Sequence, residues 1–226
     1  MSASGESAGS ARRAAEALRE RITEGLLEPG CRLVETELAT ELGVSRNTLR
    51  EAFRLLTQDG LLSHQPNKGV RVRRLTVEDL ADLYRVRRLI ECGALRELAE
   101  LPAGERSFDL AAAREAVAAG EEAARRADWK ACGTADIRFH QALAGLAGSP
   151  HVDRLMVGVL AELRLAFHAM GDPRRFHEPY LGRNRQLLET LASGDAGKAA
   201  QELAFYLEDS RRQLVEAYAR VAAAPM

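Results

Sequence analysis

The sequence predicts a mainly α chain in two parts, a small N-terminal unit of three helices and a β-hairpin followed by an all-α helical bundle. Three observations carry this. Helical periodicity recurs in three short segments before residue 60 and then gives way to the alternation Val70, Arg71, Val72, Arg73. From residue 76 onward there is no strand pattern, and apolar residues return at helical spacing between short polar breaks. Charge divides in the same way: the net charge is −1, yet residues 43–75 carry seven basic groups against two acidic, whereas residues 76–226 carry 20 basic and 23 acidic.

The elements follow in order. Residues 1–10, "MSASGESAGS", are small and polar and are expected to form a disordered tail. A first helix runs through Ala14, Leu18, Ile22 and Leu26 until Pro29 and Gly30 stop it. "ETELATELG" is a short second helix with Leu38, Ala39 and Leu42 inward, ended by Gly43 where a left-handed residue is usual. Ser45 then caps a third helix. In "GLLSHQPNKGVRVRRL" the turn "PNKG" joins two strands with one polar face, so residues 11–74 form a winged helix-turn-helix. Residues 75–226 form the bundle. Thr76 with Asp79 opens its first helix, on which Leu80, Leu83, Ile90, Ala94 and Leu98 share a face. Further helices are expected near 107–126, 128–147, 150–171, 174–193 and 195–222, punctuated by "GSP", "GDP" and "SGD".

Composition excludes several classes of function. With 46% hydrophobic and 29% charged residues, and no apolar run near the ~20 residues of a membrane span, a membrane role is not expected. The N-terminus lacks the apolar core of a secretion signal, so a cytoplasmic protein is expected. Cys31, Cys92 and Cys132 suit neither a disulfide framework nor a Cys-rich zinc site.

The third helix, "SRNTLREAFRLL", points to chemistry. At ~100° per residue Leu49, Ala52, Phe53 and Leu56 fall in one arc, and Arg46, Asn47, Arg50 and Arg54 in another. The N-terminal turn of such a helix enters the major groove of DNA, where an arginine fork can donate two hydrogen bonds to guanine. Arg46 and Arg50 are therefore assigned to bases, Asn47 and Thr48 to bases or phosphates, and Arg54 to a phosphate. Lys68 at the hairpin tip suits the adjoining groove, with Asn67 and Gly69 allowing close approach.

"GLLEPGCRLVETELATELGVSRNTLREAFRLLTQDGLLSHQPNKGVRV" closely resembles the winged helix-turn-helix of GntR-type bacterial transcription regulators, across roughly residues 11–74. The resemblance implies that Arg46, Asn47, Thr48 and Arg50 occupy operator-contacting positions, with Lys68 and Gly69 at the wing tip. Val34 departs from it, since relatives often place a Ser or Thr there to cap the second helix.

In the bundle, polar residues occupy apolar faces. Arg87 and Glu91 sit in the Leu80, Ile90, Ala94 arc, where buried charges need partners. Asp136 and His140 share a face with Trp129 and Leu143, Asn184 with Tyr180 and Leu187, and Tyr206 with Leu203. Such inward polar groups build an interior site. The domain order and "DIRFHQAL" resemble the FCD effector-binding domain of one large GntR subfamily, over about residues 76–222. That resemblance implies a divalent metal held by an Asp, a His four residues on and two later His, which helps to bind a carboxylate-bearing metabolite. Asp136 and His140 match the first pair, but Asn184 and Tyr206 stand at the two later positions. An amide oxygen and a neutral phenol are weak ligands, so no cofactor is expected beyond a weakly held divalent ion at Asp136 and His140, with His168 and His177 as candidate replacement ligands. Without metal, Arg87 and Arg164 would hold an acidic effector, with Asp136, His140, Asn184 and Tyr206 as lining.

The expected function is a ligand-responsive transcription regulator, a repressor by the commoner sign of the resembling family, binding a palindromic double-stranded operator as a homodimer and answering to an organic acid. It is not expected to be an enzyme. Two alternatives fit parts of the sequence: a metal- or acid/base-dependent helical-bundle enzyme using Asp136 and His140, and an architectural DNA binder without effector.

Overall fold

The structure is a computed structural model that describes residues 3–65, 69–102 and 109–223. The chain divides into two compact units, Met1–Leu75 together with Arg164–Ala169, and Thr76–Leu163 together with Met170–Met226.

In the first unit α1 (Ala3–Thr23) already begins at Ala3. The expected tail is thus helical over most of its length; Ala3–Ser10 holds two glycines and three serines, so this turn-by-turn extension follows from propagation of the helix below it and not from propensity. β1 (Arg32–Leu33), α2 (Glu35–Glu41), α3 (Arg46–Gln58), β2 (Leu62–Gln65) and β3 (Gly69–Val72) follow. The hairpin is therefore two strands of a three-stranded antiparallel sheet in the order β1-β3-β2. Leu33 pairs with Val70 and Leu62 with Val72, which puts four apolar residues on the buried face, while Arg32 and Arg71 stand opposite each other on the other. A strand of two residues carries no readable period, which is why β1 escapes sequence analysis.

The core of this unit joins Leu18 and Ile22 of α1 to Leu49, Ala52 and Leu56 of α3, all 0% exposed. Arg19 adds a clamp from α1, its Nη2 lying 2.7 Å from Asp59 Oδ2. Gly43, at φ 63, reverses the chain after α2 in the left-handed region. Around it the Val44 N–H donates to Ala39 O at 3.0 Å and the Gly43 N–H to Thr40 O at 3.2 Å, so the last carbonyls of α2 are satisfied. Ser45 Oγ accepts from the Thr48 N–H at 3.1 Å and starts α3. Val34, at the corresponding place before α2, makes no side-chain cap.

The second unit is built from α4 (Val77–Glu100), α5 (Ala111–Arg125), α6 (Trp129–Gly145), α7 (Pro150–Ala169) up to Leu163, α8 (Pro173–Ala192) and α9 (Ala196–Ala223). α4 packs on α9, α5 on α6, and α8 lies against α5, α6 and α9. Thr76 and Asp79 form a reciprocal capping box at the head of α4. Asp128 and Asp172 cap α6 and α8, the latter with Pro173 in the first turn where its missing N–H is harmless. Leu80, Leu95, Phe139, Leu143 and Leu203 are fully buried, whereas Ile90 and Leu98 are only half-buried. Among the described residues no helix is long and apolar enough to cross a membrane.

Candidate nucleic-acid interface and bundle interior

α3 presents the two faces that its sequence implies. Leu49, Ala52, Phe53 and Leu56 are buried, and Arg46, Asn47, Arg50 and Arg54 are exposed. Thr48 is turned back on the cap, its Oγ1 lying 2.8 Å from Ser45 Oγ. The arginines are not held alike. Arg54 is tied along its own helix to Glu51, Nε to Oε2 at 2.9 Å and Nη2 to Oε1 at 2.6 Å. Arg50 reaches across to α2, where its Nε donates to Glu35 Oε2 at 2.9 Å. Glu51 stands at helical spacing from Arg54, whereas nothing in the sequence singles out Glu35. Gly69 opens β3 at φ 80, a conformation that other residues adopt only under strain. Lys68 and Asn67 lie outside the described residues.

Inside the bundle, side chains from four helices meet. Arg87 of α4 is 2% exposed and Glu91 is 0% exposed, and Arg87 Nε donates to Glu91 Oε1 at 2.8 Å. The guanidinium also lies 5.1 Å from the ring centroid of Tyr84. The other oxygen of Glu91 lies 2.7 Å from His140 Nδ1, so that nitrogen carries the proton and donates. His140 Nε2 is 3.1 Å from the Tyr206 hydroxyl, which in turn donates to Asp136 Oδ1 at 3.2 Å. Asn184 Nδ2 donates to the same oxygen at 2.8 Å, and His177 Nδ1 lies 3.9 Å from Asp136 Oδ2. Arg87, Glu91, Asp136, His140, Asn184 and Tyr206 are thus one connected network. Among the described residues, the Nη2 of Arg87 and the Oδ1 of Asn184 are buried without a hydrogen-bond partner.

The field inside this network is strong. Burial would push the Glu91 carboxyl up, but Arg87 and His140 outweigh it and hold the acid below its usual range. Burial acts likewise on Asp136, and the imidazoles of His140 and His177 with the Asn184 amide bring it down. Burial drives Tyr84 up to about 12 and Tyr206 well above the ordinary phenol value, so both hydroxyls keep their protons.

Arg164 belongs to the first compact unit, where its Nε donates to Thr23 O at 3.1 Å, and His168, one turn on, lies 2.7 Å from the same carbonyl through Nε2. The carbonyls that end a helix lack partners and carry partial negative charge, so the end of α1 attracts both donors. The donors around Asp136 are a poor set for the divalent ion that the resemblance implies. Both nitrogens of His140 are engaged by Glu91 and Tyr206, Asn184 offers only an amide, and among the described residues no group of three or more His, Cys, Asp or Glu is disposed to hold an ion. The cavity bounded by Asp136, His177, Asn184, Gly120 and Leu181 measures about 10 Å³, space for a single water molecule.

A capped helix with arginines on its open face, set beside a small sheet and followed by a helical bundle with a polar interior, defines a winged helix-turn-helix regulator with a separate sensing domain. The chain matches the family model for bacterial regulatory proteins, gntR family, over residues 10–72 and that for the FCD domain over residues 82–209. It belongs to the GntR family as an FCD-bearing, DNA-binding transcription regulator, and it is not an enzyme. A crystal structure of a GntR transcriptional regulator from Rhodococcus sp. RHA1 is 43% identical, covers 92% of this chain and 98% of its own, and superposes with a TM-score of 0.86. The HTH-type transcriptional regulator in the TAR-I ttuE-ttuC' intergenic region of Agrobacterium vitis is 34% identical over 62% of this chain and 82% of its own length. The Nta operon transcriptional regulator of Aminobacter aminovorans is 31% identical over 68% of this chain and 71% of its own.

Proposed function

We propose that the chain is a cytoplasmic, ligand-responsive repressor that binds a palindromic operator as a homodimer and is released by a small organic acid, with no tightly held metal taking part. The observation that carries the reading is the open face of α3, on which Arg46, Asn47 and Arg50 project from a firmly capped helix whose other face is buried. Arg46 and Arg50 contact bases, Asn47 and Thr48 bases or phosphates, and Arg54 a phosphate, with Gly69 and Lys68 carrying the wing tip. A two-fold pair of such units matches a palindrome of half-sites spaced by about one helical turn. The sensing half of the proposal rests on Arg87, whose unengaged Nη2 is a buried charged donor suited to one carboxylate oxygen. Asp136, His140, Asn184 and Tyr206 are the hydrogen-bonding lining. A cavity of about 10 Å³ is too small for a metabolite, so the effector favours a more open bundle and acts through its preference for that state.

Operator selection from randomised duplexes, followed by a screen of organic acids for release, tests this directly. A symmetric site and release by one acid are expected. Recovery of only asymmetric or random DNA would end the operator reading, and one stoichiometric ion per purified chain would end the metal-free one.

A further inference from the structure

We infer that Glu35 is a positioning residue for DNA readout: its carboxylate fixes the Arg50 guanidinium so that the end of the fork is offered to a base. The inference rests on the reading of α3 as the base-contacting helix. Arg50 has a side chain 63% exposed, and its Nε lies 2.9 Å from Glu35 Oε2, on a side chain 34% exposed. Among the described residues the two amino groups of Arg50 make no hydrogen bond, and Glu35 accepts from no other donor. The pair bridges the first residue of α2 and the second turn of α3, beside a groove that Arg54 and His64 also line.

An ion pair this open adds little to stability, because water solvates the separated ions nearly as well. A carboxylate on a surface that meets a polyanion also opposes association. Glu35 therefore gains the unit neither much stability nor general affinity, and its position is explained by geometry. A guanidinium aimed in advance loses less rotamer freedom when it makes a bidentate contact. With Nε occupied, its remaining donors form the one edge that matches guanine O6 and N7. Arg54 shows the contrast: bound to Glu51 on its own helix, it lies along α3 and is suited to a phosphate.

The test measures affinity of the full chain for its selected operator and for a random duplex, in wild type, Glu35→Ala, Glu35→Gln, Arg50→Ala and the Glu35→Ala/Arg50→Ala pair. Thermal unfolding confirms that each variant is folded. Glu35→Ala is expected to lower the operator preference about tenfold, within the range of one bidentate contact, through weaker operator binding and tighter random binding. Glu35→Gln, which keeps an acceptor oxygen, is expected to retain part of the preference, and the double variant to lose little beyond Arg50→Ala. Equal changes on both duplexes, or full additivity in the pair, would overturn the inference as a plain charge effect. Loss of preference in Arg50→Ala without loss in Glu35→Ala removes the positioning role alone. Full preference in Arg50→Ala removes the base-contact reading and the inference with it.

Discussion

Arg50 and Arg87 sit on amphipathic helices, each beside a carboxylate, and their environments give them opposite work. Arg50 is open to water, and its tie to Glu35 leaves most of the fork free. Arg87 is enclosed with Glu91, and each charge is there because the other is. An exposed pair can be broken at little expense to the fold, so its value lies in what it presents to a partner. A buried pair cannot lose one member without leaving an uncompensated charge, so it disciplines the packing around it. Under the proposed function Arg50 addresses DNA, whereas Arg87 with Glu91 holds the helical bundle in one arrangement.

The largest effect is expected at Arg87. Arg87→Ala should destabilise the bundle by about 3–5 kcal/mol, read by urea unfolding, because Glu91 is left buried and unpaired. Replacing both by apolar residues, Arg87→Met with Glu91→Leu, should recover part of that loss. Acid probes the same pair with a defined sign. The folded Glu91 lies below its ordinary value of 4.5, so its stabilisation is present above that pH and is lost as pH falls through the folded value. Unfolding curves collected from neutral pH downward should show stability declining below about 4.5, and Glu91→Gln should flatten the decline.

Smaller effects are expected on α3. Arg50→Ala should reduce discrimination at one base pair by about 1–3 kcal/mol in competition binding while leaving the unfolding midpoint nearly unchanged. Ser45→Ala removes the cap that starts α3 and should lower stability by about 1 kcal/mol. Arg54→Ala should give the smallest change, an even loss of affinity across sequences with a salt dependence shallower by about one ion. Equal loss of sequence preference at Arg50 and Arg54 would erase the distinction between a fork aimed by α2 and one laid along α3.

Much of this was legible in the sequence because the signals are local. Ser45 three residues before Thr48, Gly43 after Leu42, and Thr76 with Asp79 each state a cap within one turn of chain. That Arg87 and Glu91 are near enough to pair is legible too, since residues four apart on a helix share a face, while the pairing itself is seen in the structure. The bond from Arg164 to Thr23 is not legible, because the acceptor is 141 residues away and is a backbone carbonyl, which no side-chain pattern announces. The tie between Glu35 and Arg50 joins two helices and so has no helical spacing to announce it, and β1 is too short to display a period.

By itself, then, the order of residues determined the helices, their caps, the wing and which faces turn inward, since all of these follow from spacing along a few turns. Only the tertiary structure decided that Glu91 and His140 join, that Tyr206 and Asn184 converge on Asp136, and that Arg164 and His168 share one carbonyl. Those meetings bring together helices far apart in the chain, and their geometry is set by packing between elements, for which a linear pattern carries no distance.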